Sequence, residues 1–320
     1  MKSKPLISLV VPCRNEAACL KEFIAQLNRF KSSYLTVDLE VVFVNDGSTD
    51  RTLDLLGEAS ERNEWIKIVD FSRNFGKEAA ITAGLDFAAG DAIIFMDADL
   101  QHPFSVLPVF IEHWQSGVQV VVARRMNRDT DSSSYRRLAT LFYKMYNRIA
   151  TVKLPENVGD FRLIDKAVAK ELRRLTERQR FMKGLFAWVG FEPTVVDYEV
   201  APRHAGQSTF NKWRSWNFAL EGLANFSTVP LRAWTYLGLL FVLIGLIYAG
   251  FIIVSALLFG VTTPGYVTLL TAIVVFSGMQ LIGIGVLGEY LGRVFIEVKG
   301  RPAYIVRKTL NLENPRLSDD

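Results

Sequence analysis

From Ala233 to Gly288 the chain carries no Asp, Glu, Lys, Arg or His. No other feature restricts the fold as much. A bilayer core takes ~20 apolar residues per helix, so this window predicts two spans, near 233–258 and 267–291. Val261-Thr262-Thr263-Pro264-Gly265 joins them. The joining segment is uncharged. Lys212, Arg214 and Arg232 precede the window, and Arg293, Lys299, Arg301, Arg307 and Lys308 follow it. The positive-inside rule then puts both flanks in the cytoplasm, as expected of an inner (plasma) membrane protein that crosses twice. Gly283, Gly285, Gly288 and Gly292 thin one face of the second span. Such faces permit close helix approach, within the hairpin or between subunits, and a homo-oligomer is expected, a tetramer among the options. Glu289 is spaced to pair with Arg293 one turn on.

The rest of the 320 residues reads differently. Half the residues are hydrophobic and the mean hydropathy is +0.18, a mixture of soluble domain and membrane segment. A net charge of +4 names no partner by itself. Cys13 and Cys19 have neither zinc-site spacing nor a disulfide framework. Apolar, β-branched runs at Leu6–Val11, Leu39–Val44, Ile66–Phe71, Asp91–Met96 and Val118–Ala123 alternate with helical stretches ending near Phe30, following Asp50, at Glu78–Ala89 and at 104–115. This alternation predicts a doubly wound, mostly parallel α/β sheet. Polar loops at 12–16, 45–50, 72–77, 97–103 and 124–137 follow strand carboxyl ends and should share one rim. The sequence contains neither a dinucleotide G-x-G-x-x-G after the first strand nor a Walker A loop.

On that rim Asp97 and Asp99 stand two residues apart at the end of an apolar strand. Carboxylate oxygens in this setting suit Mg²⁺ or Mn²⁺, with phosphates and water completing the shell. Asp97, Asp99 and Gln101 are therefore the metal candidates. Arg124 to Arg137 holds five arginines and reads as a basic flap over an anionic substrate. A helix is expected over 135–150. Asp160, between a glycine and a strand-like run, is expected as a loop carboxylate on the same rim. Arg203, His204, Ser208 and Lys212 surround Gly206 and suit an anion site. Trp213 to Phe226 reads as an amphipathic helix in the membrane interface. The divisions expected are a catalytic domain at 1–208, a juxtamembrane helix at 209–232, the hairpin at 233–292 and a cytoplasmic tail at 293–320.

Six motifs in order, with the two spans, resemble the family-2 GT-A glycosyltransferases that act on polyprenyl phosphates, and most nearly the bactoprenol (undecaprenyl-phosphate) glucosyltransferase group. They are Val11-Pro12-Cys13-Arg14-Asn15-Glu16, Val44-Asn45-Asp46-Gly47-Ser48, Ser72-Arg73-Asn74-Phe75-Gly76-Lys77, Asp97-Ala98-Asp99-Leu100-Gln101, Gly159-Asp160-Phe161-Arg162-Leu163 and Arg203-His204-Ala205-Gly206-Gln207-Ser208. The resemblance implies a GT-A fold with two transmembrane helices. It implies nucleotide contacts from Pro12, Asn15, Glu16, Asp46, Lys77 and Asp97, and metal binding by Asp97, Asp99 and Gln101. Arg124, Arg203 and Ser208 would meet phosphates and the acceptor. Asp160 and Asp99 stand at the chemistry, Asp160 at the position of a proposed base. The partners implied are a nucleotide-diphosphate sugar, a polyprenyl phosphate and the membrane.

The reaction implied is inverting transfer of a sugar, glucose from UDP-glucose, to undecaprenyl phosphate. Mannose transfer from GDP-mannose is the alternative, although related dolichyl enzymes carry Asp where this chain has Asn45. A phosphate monoester has a second pKa of about 6 and needs little help from a base, so Asp160 is expected to position rather than deprotonate. A polysaccharide synthase would carry Q-x-x-R-W, which Gln179-Arg180-Phe181-Met182 does not match. A non-enzymatic nucleotide-sugar scaffold is the remaining rival. Arginines clustered at the rim and membrane flank, rather than along one helix, argue against nucleic-acid binding.

Overall fold

The computed structural model describes residues 4–34, 36–126, 158–178, 180–199, 229–259 and 265–312, with some side chains inside the last two helices excepted. The flap beyond residue 126, the helix expected over 135–150, and the segment holding Arg203, Ser208 and the interfacial helix lie outside the described residues.

Eight strands form one sheet in the order β7-β5-β6-β4-β1-β2-β3-β8. They are β1 (Leu6–Cys13), β2 (Asp38–Asn45), β3 (Ile66–Phe71), β4 (Ala92–Phe95), β5 (Val120–Arg125), β6 (Val158–Asp165), β7 (Thr194–Tyr198) and β8 (Val306–Leu310). β1 pairs in parallel with both β2 and β4, and β2 with β3. The order therefore reverses at β1, and the crevice between the loops after β1 and β4 is where such a sheet binds ligands. The apolar runs become central strands because both faces are covered. Ile7, Leu9 and Val11 pack into one core with α1 (Ala17–Ser33), α2 (Thr52–Arg62) and α4 (Val106–Gln115). Val10 and Val42 turn to a second core with α3 (Lys77–Phe87), α5 (Lys166–Arg174) and α6 (Met182–Trp188). Gly84 lets α3 lie this close: a Cβ there would sit 2.1 Å from Val10 Cγ1.

Two strands differ from expectation. Residue 160 lies within β6, which runs antiparallel to β4 and β5, and not in a loop. Alternating Phe161, Leu163 and the flanking valine gave β6 enough apolar surface to join the sheet. Because it runs backwards, its amino end brings Asp160 to the edge where the parallel strands end. The segment after the hairpin is also no free tail: β8 pairs antiparallel with β3. Tyr304, buried, stacks on Phe71 at 5.1 Å and donates from its hydroxyl to Asp86 Oδ2 at 2.7 Å. Asn311 Nδ2 donates to the carbonyls of Ser60, Asn63 and Ile66.

The uncharged window folds into two helices, α7 (Val229–Phe259) and α8 (Tyr266–Lys299). Gly300, with φ 65°, ends α8 in the left-handed conformation that favours glycine. Phe241 meets Phe276 edge-on, and Gly283 faces the Trp234 ring. No neighbouring side chain lies within 4 Å of where a Cβ would stand on Gly285, Gly288 or Gly292 among the described residues. Arg293 and Glu289 form the expected i,i+4 pair at 2.9 Å. The expectation of two membrane spans is not met in the described residues: among them, no helix is long and apolar enough to cross a membrane. The side chains that are described leave Leu246, Ile247, Phe251, Leu257 and Phe259 exposed.

Candidate active site

The parallel strands end together, and so do the loops after β1, β2, β3 and β4. Asn15 takes φ 56° after β1. Its backbone N–H donates to Ser48 Oγ at 3.0 Å, and its Oδ1 accepts from Thr49 N at 2.8 Å. The Glu16 N–H donates to Thr52 Oγ1. Asp46 is buried, and its carboxylate accepts from the backbone N–H groups of Phe75 and Gly76. That bond ties the 72–77 loop to the β2 loop. Gly47 completes the junction, with φ 62° and Arg73 backbone only 2.6 Å from where a Cβ would stand. Pro12 lies in β1 opposite Val44. The residues expected to meet a nucleotide are thus gathered at one edge by backbone-level bonds.

The charged centre is Lys77, the first residue of α3. Its ammonium lies 2.7 Å from Asp97 Oδ1 and 2.8 Å from Asp160 Oδ2. Burial pushes the Lys77 pKa down, but Asp160 and Asp97 more than compensate and hold it above its ordinary value. Burial raises Asp160, yet Lys77, Lys183 and Arg162 together hold it below the usual carboxylate range. Asp97 is likewise held down, by Lys77 against its own burial. Among the described residues, Asp160 Oδ1 is buried without a hydrogen-bond partner. Glu78, next to Lys77, accepts from Met182 N at 2.9 Å; burial and Asp160 raise its pKa to about 7. Arg162 donates to the Gly159 carbonyl and lies 4.0 Å over the Phe186 ring. Burial lowers its pKa to about 10, so it stays charged at neutral pH.

Asp97 is fixed from behind. Its N–H donates to Nδ1 of buried His102 at 3.2 Å, so that nitrogen carries no proton, and the imidazole stacks on Phe161. Burial lowers the His102 pKa, which keeps the ring neutral. Asp99 Oδ1 accepts from the Gln101 N–H at 3.1 Å, and Leu100 between them takes φ 63°. Among the described residues, no three His, Cys, Asp or Glu side chains gather tightly enough to hold a metal alone. The oxygen-only set of Asp97, Asp99 and Gln101 still fits a hard cation, which needs only one or two protein carboxylates when phosphates supply the rest. Arg124 sits at the end of β5 in a bidentate pair with Asp197 of β7, at 2.7 and 2.9 Å. Reading along the chain missed His102, the Lys77 bridge and Glu78. Only the proximity of 77 to a glycine hinted at the bridge, since its partners lie 20 and 83 residues away.

A sheet of this topology, with a lysine-bridged carboxylate cluster at its carboxyl edge and a helical hairpin returned to the sheet by β8, is a GT-A-like α/β architecture. The chain belongs to the family described as "Glycosyl transferase family 2", which matches residues 8–173, and the description "GtrB C-terminal hairpin" matches residues 229–294. An SfII prophage-derived bactoprenol glucosyl transferase of Shigella flexneri is 48% identical over 303 residues, covering 95% of this chain and 98% of that one. CsbB, a putative glycosyltransferase of Bacillus subtilis, is 39% identical and covers 98% of this chain and 94% of its own. Among solved structures, the Mycobacterium tuberculosis glucosyl-3-phosphoglycerate synthase with Mn²⁺, uridine diphosphate and phosphoglyceric acid has a TM-score of 0.48. It is 17% identical and covers 69% of this chain and 76% of that chain.

Proposed function

We propose that this protein transfers glucose from UDP-glucose to undecaprenyl phosphate at the cytoplasmic face of a membrane. The observation that carries the reading is the 48% identity to a bactoprenol glucosyl transferase, which runs through both the catalytic edge and the hairpin. The exposed apolar side chains of α7 and α8 support a membrane setting, because water does not favour so long an apolar surface. At 1.5 Å per residue the 31- and 34-residue helices reach about 46 and 51 Å, more than a ~30 Å hydrocarbon core requires. In this reading they cross the bilayer as a hairpin, and an oligomer forms through it.

The edge residues divide the work. The β1 and β2 loops, with Asn15, Glu16 and Asp46, take the base and ribose of the donor. Lys77 neutralises the carboxylates of Asp97 and Asp160 and offers its charge to the donor diphosphate. Asp97, Asp99 and Gln101 would hold a divalent cation, Mg²⁺ or Mn²⁺, which when bound would further neutralise the leaving diphosphate. The acceptor phosphate oxygen attacks the anomeric carbon as the nucleoside diphosphate leaves, inverting the centre. Asp160 is a weak proton acceptor, since Lys77 stabilises its ionised form. The acceptor phosphate arrives largely deprotonated. Asp160 therefore orients Lys77 and the sugar. Arg203 and Ser208 would meet the acceptor, and Arg124 reaches a phosphate only after exchanging Asp197 for it.

The test is formation of lipid-linked glucose by the full chain in membranes supplied with UDP-glucose and undecaprenyl phosphate, with and without EDTA. Asp99→Ala is expected to abolish transfer and leave the unfolding temperature unchanged, because its side chain lies at the edge rather than in the core. Transfer at the parent's rate by Asp99→Ala would exclude the metal assignment. Binding of UDP-glucose without turnover by the parent would favour a scaffold, and preference for GDP-mannose would favour a mannose donor.

A further inference from the structure

We infer that Arg307, on the strand that follows the hairpin, is a positioning residue for the nucleotide-binding edge; this rests on the reading that the edge binds a nucleoside diphosphate sugar. Arg307 Nε donates to Asp70 Oδ2 at 2.7 Å. The other oxygen of that buried carboxylate, Oδ1, accepts from Asn45 Nδ2 at 2.7 Å. Asn45 Oδ1 in turn accepts from the N–H and the hydroxyl of Ser48. Ser48 Oγ accepts the Asn15 N–H at 3.0 Å, and Asn15 Oδ1 accepts from Thr49 N. An unbroken line of hydrogen bonds runs from β8, across β3 and β2, to the two loops that bracket the nucleotide.

The direction of each bond matters. Asn45 can hold Ser48 only if its amide is oriented with Nδ2 toward Asp70, and the acceptor oxygen Oδ1 of Asp70 favours that orientation. Arg307 holds Asp70 Oδ2, which leaves Oδ1 aimed at Asn45 Nδ2. Without it, the carboxylate is held on one oxygen only and can rotate, which weakens the bias on the Asn45 amide. Ser48 and Asn15 then lose their fixed partner, and Asn15, held at φ 56°, can relax. The strand does not need Arg307 to stay docked. Tyr304 anchors it in the core and Asn311 ties its far end to three carbonyls. Arg307 is half exposed but Asp70 is buried, so losing Arg307 costs some stability while the strand stays docked.

The experiment uses the full chain in detergent or membranes and measures donor KM, acceptor KM, kcat, UDP binding and unfolding temperature for Arg307→Ala, Arg307→Lys and the control Lys308→Ala. Lys308 lies opposite Asp70 in the same ladder, is exposed, and makes no bond in the line among the described residues. Arg307→Ala is expected to raise donor KM and weaken UDP binding by about 2- to 30-fold, the range by which residues off a site modulate it. Acceptor KM should stay at the control's value while the unfolding temperature falls modestly, and Arg307→Lys should recover part of both losses. An unchanged donor KM in folded Arg307→Ala overturns the proposal. So does an equal loss in Lys308→Ala, which would mark a general effect of the sheet edge. Should Arg307→Ala fail to fold, Arg307→Gln takes its place, and a parental donor KM in that variant overturns the proposal. A parent that binds no UDP refutes the functional reading and the proposal with it, whereas a parent that binds UDP with indifferent Arg307 variants refutes the proposal alone.

Discussion

Lys77 decides how the edge behaves at the level of single residues. One ammonium answers two carboxylates, Asp97 and Asp160, and so keeps both ionised where burial alone would neutralise them. Asp160→Asn should therefore lower kcat on the order of 10²-fold through misplacement of Lys77, while the pH–rate profile keeps every ionisation of the parent. Loss of an ionisation in that profile would make Asp160 a base after all. Glu78 behaves oppositely. Its folded pKa of about 7 lies above its ordinary value of 4.5, so between those values the folded state holds a proton that the unfolded chain has released. Stability then falls as pH rises through this window. Glu78→Gln keeps an acceptor for Met182 N and should flatten the fall in unfolding temperature between pH about 5 and 7; an unchanged slope would show that Glu78 is not its source.

At the level of elements, the edge depends on α3 lying close against β1. Gly84 makes that approach possible, and Lys77 and Glu78 ride on the first turn of the same helix. Gly84→Ala forces a Cβ into Val10, a β-branched residue with no free rotamer in a central strand. The expected cost is about 1–3 kcal/mol, read as a drop in unfolding temperature, with donor KM raised because the first turn of α3 shifts. Full stability in Gly84→Ala would mean that α3 can slide without cost. The strands that carry this edge were legible in the sequence. β1 to β4 fall within a residue or two of their apolar runs, and the polar loops after them do share a rim. β6 was not, because Val158–Asp165 mixes glycine, Asp160 and Arg162 into the run and reads equally as a loop.

At the scale of the whole molecule, the hairpin is tied to the sheet at its carboxyl end. α8 leads through Gly300 directly into β8, and Arg178 holds the junction: its N–H meets Glu297 Oε1 at 2.8 Å, and its Nη1 meets the Arg301 carbonyl. A chain ending at residue 300 would expose the β3 edge and empty the place of Tyr304. Loss of a buried aromatic alone costs about 3–5 kcal/mol, so the shortened protein should unfold at lower temperature and be cut faster by protease. Parental protease resistance would show that the sheet is complete without β8.

The sequence alone determined the class of the sheet, the edge on which its polar loops fall, the acidic pair at Asp97 and Asp99, and the presence of a helical hairpin. Each of these is written in a local period or a short run, which neighbouring residues set by themselves. Only the tertiary structure decided that Lys77 bridges Asp97 and Asp160, that His102 fixes Asp97, and that the chain after the hairpin returns as β8 to bond Asp70. These contacts join residues from 5 to 237 positions apart. Their partners are chosen by which surfaces the folded sheet brings together, and no repeat along the chain encodes that choice.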